Sequence, residues 1–347
     1  MVEILIFFIA ASLLLYVVLG GADYGAGIVE LTTPKRLQEK QRHVINEAMG
    51  PVWEANHMWL IIVVVILFMG FPTVFSLVMV HLHIPIVALL VGIVARGTAF
   101  TFRHYDAVYD SKSQNTYSWI FSLSSVWTTF WLGVVAGSLW QGDIDPTATG
   151  FFEAYVNPWM GWVPIAMGFF MISIFSFLAS IYLIGESENS DLKAHYRRWG
   201  FIFNTAVVIT GGAVFVAAYL EQSPFLILFL KNPFSIACVV MATLFFFVLW
   251  NLLRFKRSLW IRLAAAAQAA LILFGWYFAI APAAVLTPQG AISFVAAAAP
   301  EPTLRQLSYA LGVGSLLIFP SLFYLLKVFK LSGKSLQNDS AKNDGIK

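Results

Sequence analysis

Nine long apolar runs, separated by short polar connections, dominate this 347-residue chain and leave it few ways to fold. A hydrocarbon layer about 30 Å thick is crossed by about 20 residues at 1.5 Å rise each, and these runs reach that length. Backbone N–H and C=O groups inside lipid must be paired within the segment, which a helix does and an isolated strand does not. The short alternating segments of a membrane β-barrel are absent from the sequence. Composition agrees, with 59% hydrophobic and only 11% charged residues. The spacing predicts an all-α, polytopic membrane helix bundle of about nine transmembrane helices. The spans are expected near Ile4–Leu31, His57–Val80, Ile84–Arg103, Tyr117–Gln141, Trp162–Gly185, Gly200–Leu220, Pro233–Leu253, Leu259–Ala281 and Leu304–Phe329. The bundle is expected to fill 1–331, with a polar, disordered tail over 332–347.

Basic residues orient the bundle. All but three of the 21 Lys and Arg fall at the end of, or after, the first, third, fifth, seventh and ninth runs, the exceptions being Arg96, Lys231 and Arg305. Positive loops stay cytoplasmic, so the N-terminus is expected outside and the C-terminus in the cytoplasm. The first run opens Met1-Val2-Glu3 without a basic n-region and is too long for a signal-peptide core, so it is expected to remain as a helix. A net charge of +3 then reflects orientation and does not argue for nucleic acid. The single cysteine, Cys238, excludes an intrachain disulfide and fits as core filler. His81 and His83 flank an outer turn, His43 and His104 lie near the cytoplasmic surface, and His195 sits in a basic loop. A haem between two helices needs axial ligands at matched depth, and these histidines offer no such pair. Phosphate-cradling loops, zinc spacing and nucleophile elbows are also missing from the sequence.

Function is sought where charge persists inside apolar runs, because each such charge costs about 2.5–3.5 kcal/mol at a helix centre. Asp23 lies within the first run, in Gly20-Gly21-Ala22-Asp23-Tyr24-Gly25-Ala26-Gly27, and Arg96 within the third. Helical rise places both about 10–12 Å from the cytoplasmic end. Glu54 and His57 open the second span from the same side and, three apart, are expected on one face. Pro51 suits the first turn of that helix, where Glu54 complements the helix dipole. The glycines around Asp23 allow close helix approach. Two readings stand at this point: an inert Asp23–Arg96 ion pair, or a proton path through the clustered acids and histidine. Trp53 and Trp59 suit an interfacial aromatic belt.

At these residues the sequence resembles subunit II of the cytochrome bd quinol oxidase family, including its cyanide-insensitive branch. The resemblance is carried by Asp23-Tyr24-Gly25-Ala26-Gly27, by Ile45-Asn46-Glu47-Ala48, and by Gly50-Pro51-Val52-Trp53-Glu54-Ala55-Asn56-His57-Met58-Trp59-Leu60. Arg96-Gly97 through Phe102-Arg103, Gln141-Gly142 and Ala298-Ala299-Pro300-Glu301-Pro302-Thr303-Leu304-Arg305 continue it in order.

The resemblance implies a haem-free subunit of a terminal oxidase of the prokaryotic cytoplasmic membrane, coupling quinol oxidation to reduction of oxygen to water. It implies no cofactor in this chain. Haem b and haem d type centres belong to a haem-bearing subunit I, which handles quinol, with lipid and small accessory subunits as further partners. Asp23, Glu54 and His57 look like stations of a cytoplasmic proton route. Trp59 looks like the tryptophan beside the oxygen access point or a structural residue, and Trp53, Asn56, Arg96 and Arg103 look structural or electrostatic. The family usually carries a further acid three residues before Asp23, where this chain has Gly20. The alternative is a secondary transporter using intramembrane Asp23, Glu54 and Arg96.

Overall fold

The apolar runs form helices in a computed structural model that describes residues 1–50, 53–105, 110–255 and 258–344. The first span joins α1 (Val2–Leu15), a π-helical segment (Tyr16–Gly20) and α2 (Gly21–Leu31) into one 30-residue rod. The basic connection after it is itself a helix, α3 (Lys35–Met49), burying Leu37, Gln41, Ile45 and Met49 at four-residue spacing along one stripe. The second span is broken: α4 (Trp53–Gly70) ends before Phe71, whose φ of −137° and ψ of 60° are not helical, and α5 (Pro72–His81) begins anew. Pro72 explains the break, since its missing N–H and fixed φ suit a first helical turn and not a helix interior. Pro51, expected in the first turn of the second span, lies outside the described residues.

Next come α6 (His83–Tyr105), α7 (Ser111–Gln141), a short α8 (Phe151–Tyr155), α9 (Trp162–Glu186), α10 (Ser190–Leu220), a short α11 (Pro224–Lys231), α12 (Pro233–Phe255) and α13 (Ser258–Ile280). A two-stranded antiparallel hairpin, β1 (Ala283–Thr287) with β2 (Gly290–Ser293), precedes α14 (Glu301–Asp344). Among the described residues, eight helices are long and apolar enough to cross a membrane. The ninth expected span falls within α14, whose backbone continues past 331 into the polar tail without a break.

Helix α9 is the axis of the bundle: 83% of its most apolar stretch is buried, against 50% for α7 and less for every other candidate span. Helices α2, α7, α10 and α13 surround it. Lipid offers no hydrophobic drive between helices, so close backbone approach and dispersion hold such a core. Gly25 provides it for α2, because a Cβ there would stand 1.9 Å from the Phe175 carbonyl oxygen of α9. Gly27 does the same against α7, with the Ser125 hydroxyl 2.3 Å from the same imagined atom. The first span is thereby wedged between two helices, and Asp23 is carried into the interior.

Gly25→Val forces α2 off α9 and should destabilise the protein by about 3 kcal/mol, the upper range for overpacking. Gly212→Ala, where nothing lies within 4 Å of the added carbon, should leave the thermal midpoint in detergent unchanged.

Candidate functional site in the buried polar seam

Two ion pairs stitch α2 to α6. Arg96 Nη2 donates to Asp23 Oδ1 at 2.6 Å and to the Asp23 backbone oxygen at 3.1 Å. Arg103 Nη1 donates to Glu30 at 2.9 and 3.3 Å, and its Nη2 donates to Asn46 Oδ1 at 2.9 Å. Arg42 adds a second cation, with Nε 3.9 Å from Glu30. Both acids and both arginines are buried. Seven residues separate the acids and seven separate the arginines, which is two helical turns or about 10 Å, so the helices run in parallel register. The ring of Phe121, from α7, lies between: its centroid is 5.0 Å from the Arg96 guanidinium carbon and 4.4 Å from that of Arg103. Cation–π contact of this kind gains strength where water is excluded.

The upper pair borders a group of rings. Tyr24 lies under the Arg96 guanidinium at 4.6 Å. Its hydroxyl accepts from Tyr16 at 3.3 Å and meets His57 Nδ1 at 3.4 Å. Tyr16 opens the π-helical segment, a distortion that often marks functional positions. The second Asp23 oxygen, Oδ2, is buried without a hydrogen-bond partner among the described residues, as is Arg96 Nε. Oδ2 therefore keeps its acceptor capacity open.

The expected proton residues are not gathered in one place. Asp23, Arg96 and His57 converge around Tyr24, but Glu54 is exposed on the surface of α4. Residues three apart on a helix differ by about 60° around the axis, enough at a bundle edge to part an inner position from an outer one. Trp53 is half-buried between His57 and Phe100, and Asn56 is buried. Trp59 is buried too and stacks on Phe319 at 5.9 Å. Arg103 is the partner of Glu30, an acid that the sequence reading passed over because it stands at the end of its span. Tyr16 and Tyr24 were also missed, since tyrosines in an apolar run give no charge signal.

His81 and His83 both border the ring of Tyr155, at 6.3 and 5.1 Å, but bond different carbonyls. His81 Nδ1 is 2.8 Å from the Ala154 carbonyl, His83 Nδ1 2.8 Å from that of Val80, and His195 Nε2 3.2 Å from the Thr33 hydroxyl. Among the described residues no three His, Cys, Asp or Glu side chains gather as metal ligands. At the far end from Glu30, a cleft of about 570 Å³ is lined by Gln141, Asp143, Glu153 and Glu221. Glu221 caps α9 there, accepting from the backbone N–H groups of Trp162 at 2.7 Å and Val163 at 3.1 Å. Partial burial, then the negative charge of Glu221, push the Asp143 carboxyl above its usual range.

A family model described as cytochrome bd terminal oxidase subunit II matches residues 1–329. The chain belongs to this subunit II family. It is 27% identical over 190 residues to a cytochrome bd ubiquinol oxidase subunit 2 of Bacillus subtilis, covering 53% of this chain and 54% of that one. It is 25% identical over 150 residues to a cytochrome bd-I ubiquinol oxidase subunit 2 of Escherichia coli, covering 41% and 38%. The matched segments thus span about half or less of the length of these relatives. The fold matches a chain in the structure of bd oxidase from Geobacillus thermodenitrificans with a TM-score of 0.76 and 18% identity, covering 94% of this chain and 98% of that chain. Multi-pass membrane architecture and subunit II membership agree, and the transporter reading gains no support from either. As a subunit II chain, this one keeps its charged seam inside the span that carries the Asp23 motif.

Arg103→Met strands buried Glu30 and should cost about 3–5 kcal/mol, whereas Glu30→Met with Arg103→Met should recover most of that loss in thermal unfolding. Asp143 follows the sign for a raised acid: its neutral form is favoured in the fold, so its contribution is full below the unfolded pKa and lost as pH rises through the folded value. Asp143→Asn should therefore raise the thermal midpoint more at pH 8 than at pH 4, as checked by melting at both.

Proposed function

We propose that this chain is the haem-free subunit II of a bd-type terminal oxidase complex that couples quinol oxidation to reduction of oxygen to water. Family membership supports this reading, as do the names of the relatives, which are ubiquinol oxidase subunits. Its partner is a haem-bearing subunit I, with lipid and small accessory subunits around both. The haem b and haem d type groups of that partner supply electron storage and oxygen reduction. His57, His81, His83 and His195 each have a different hydrogen-bond neighbour within the chain. The complex resides in a prokaryotic cytoplasmic membrane, N-terminus outside and C-terminus inside, on the strength of the basic connections.

The carrying observation is the buried Asp23–Arg96 pair with Oδ2 left unpaired. Oxygen reduction consumes protons, and drawing them from the cytoplasm while quinol releases its own outside builds a potential. Asp23 is the buried station of that supply: Arg96 holds one carboxylate oxygen and stabilises the charge, and the free oxygen takes the proton. Glu54, on the open face of α4, is a surface station toward the partner, and His57 lies one turn further along. Asn56, Trp53 and Arg103 hold this end of the bundle in place. Trp59 is stacked on Phe319, and its role is to line the oxygen entry or to hold the packing there.

In the complete complex, Asp23→Asn should lower quinol-driven oxygen uptake at least tenfold with the haem spectrum retained. Turnover at the parental rate would remove Asp23 from the proton supply.

A further inference from the structure

At the end of the bundle far from Glu30, the residues lining the cleft include four acids and no Lys, Arg or His. An adjoining recess shares Gln141, Asp143 and Glu221 with it and likewise has no basic residue in its lining, so these three side chains stand where the two meet. We propose that they bind a divalent cation of the calcium class, held by the carboxylates of Asp143 and Glu221 and the side-chain carbonyl of Gln141, with water completing the shell. The inference goes beyond the oxidase reading and is independent of the proton route.

Gln141 is the first support. It is the last residue of α7 and only 5% exposed, and its amide lies so close to Gly161 that a Cβ there would collide with it. Gly142 follows with a φ of 99° and ends the helix, and Asp143 turns back to meet the Gln141 side chain. Nε2 donates to Asp143 Oδ2 at 2.5 Å. Only the nitrogen end of an amide can face a carboxylate, so the orientation of the group is fixed. Oε1 is thereby left buried in the wall of the cleft with no hydrogen-bond partner among the described residues. A buried carbonyl without a donor is costly unless something positive answers it. Beside two carboxylates it completes a set of hard oxygen donors, the kind that Ca2+ selects.

The two carboxylates are the second support. Glu221 enters from the turn after α10 and is held in place by the N–H groups of Trp162 and Val163, one on each oxygen, which leaves each oxygen a further lone pair. Its negative charge acts on Asp143, a repulsion that a cation between them removes. Asp143 is open to solvent, so an ion reaches the site from water. Asp145 is already engaged: its Oδ1 accepts from the Thr147 N–H at 2.8 Å, the Thr147 hydroxyl at 2.7 Å and Gln289 Nε2 at 2.7 Å. It and the exposed Glu153 contribute field and no bond. Two charged ligands and one neutral one make a weak site, with a Kd of about 0.1–1 mM as in extracellular calcium modules. That range suits the side of the membrane that the basic connections assign to the outside.

The test uses the complete complex in detergent, stripped of metal with EGTA and titrated with CaCl2, with NaCl at matched ionic strength as the control for screening. Equilibrium dialysis with radioactive calcium counts bound ions, and the thermal midpoint reads the linked gain in stability. The site predicts saturable binding at about 0.1–1 mM and a rise in midpoint that NaCl does not reproduce. Asp143→Asn should bind one calcium fewer per complex and lose the calcium-dependent rise, while its midpoint without calcium stays at or above the parental value. Gln141→Glu adds a charge at the ligand and should bind calcium about tenfold tighter. Damaged folding does not imitate such a gain, so this variant decides the matter if Asp143→Asn does not assemble. No saturable binding in the parental complex, a midpoint rise that NaCl matches, a calcium count unchanged in Asp143→Asn, or an affinity unchanged in Gln141→Glu would each overturn the site.

Discussion

Charge in a lipid-embedded bundle is tolerated only where a partner meets it, and that requirement organises the end of the bundle that holds Asp23 and Glu30. Asp23 and Glu30 sit two turns apart on α2, and Arg96 and Arg103 two turns apart on α6, so one parallel register satisfies both pairs at once. A slip of one residue would strand four buried charges. Phe121 separates the pairs and keeps both guanidinium groups against a π-face. The register is reached because Gly25 and Gly27 let α2 sink against α9 and α7. Small residues and ion pairs are therefore one device: the first permit the approach that the second require.

The two pairs differ in how fully they are satisfied. Glu30 receives Arg103 through both oxygens and has Arg42 close by, so its charge is compensated on several sides. Asp23 is held through one oxygen only, with the other buried and unpaired. A structural brace gains nothing from an unsatisfied oxygen, whereas a proton station needs one. That asymmetry is why Glu30–Arg103 is read as a brace and Asp23–Arg96 as part of a proton supply.

Much of the architecture was legible in the sequence because lipid imposes a simple length rule and leaves charge conspicuous. Asp23 and Arg96 stood out for that reason, and the structure pairs them. Other features carried weaker signals. Glu30 stands at a span end, where a charge needs no explanation, and Tyr16 and Tyr24 blend into apolar sequence. Glu54 was expected beside His57 on one face, but the small angular offset between them falls across the edge of the bundle. The break at Phe71 was written in Pro72, yet the apolar run on both sides concealed it. The hairpin from Ala283 to Ser293 is too short for its alternation to stand out, and α3 was hidden by its charge, although its stripe of Leu37, Gln41, Ile45 and Met49 has helical spacing.

The central claim is that Asp23 changes protonation as the complex works. Infrared difference spectroscopy of the reduced-minus-oxidised complex reads that change directly, through the carboxyl C=O stretch. The account predicts a carboxyl band in the parental complex that is absent from Asp23→Asn and keeps its position in Glu30→Gln. A difference spectrum whose carboxyl bands all survive Asp23→Asn would contradict it, leaving Asp23–Arg96 as a brace like its neighbour.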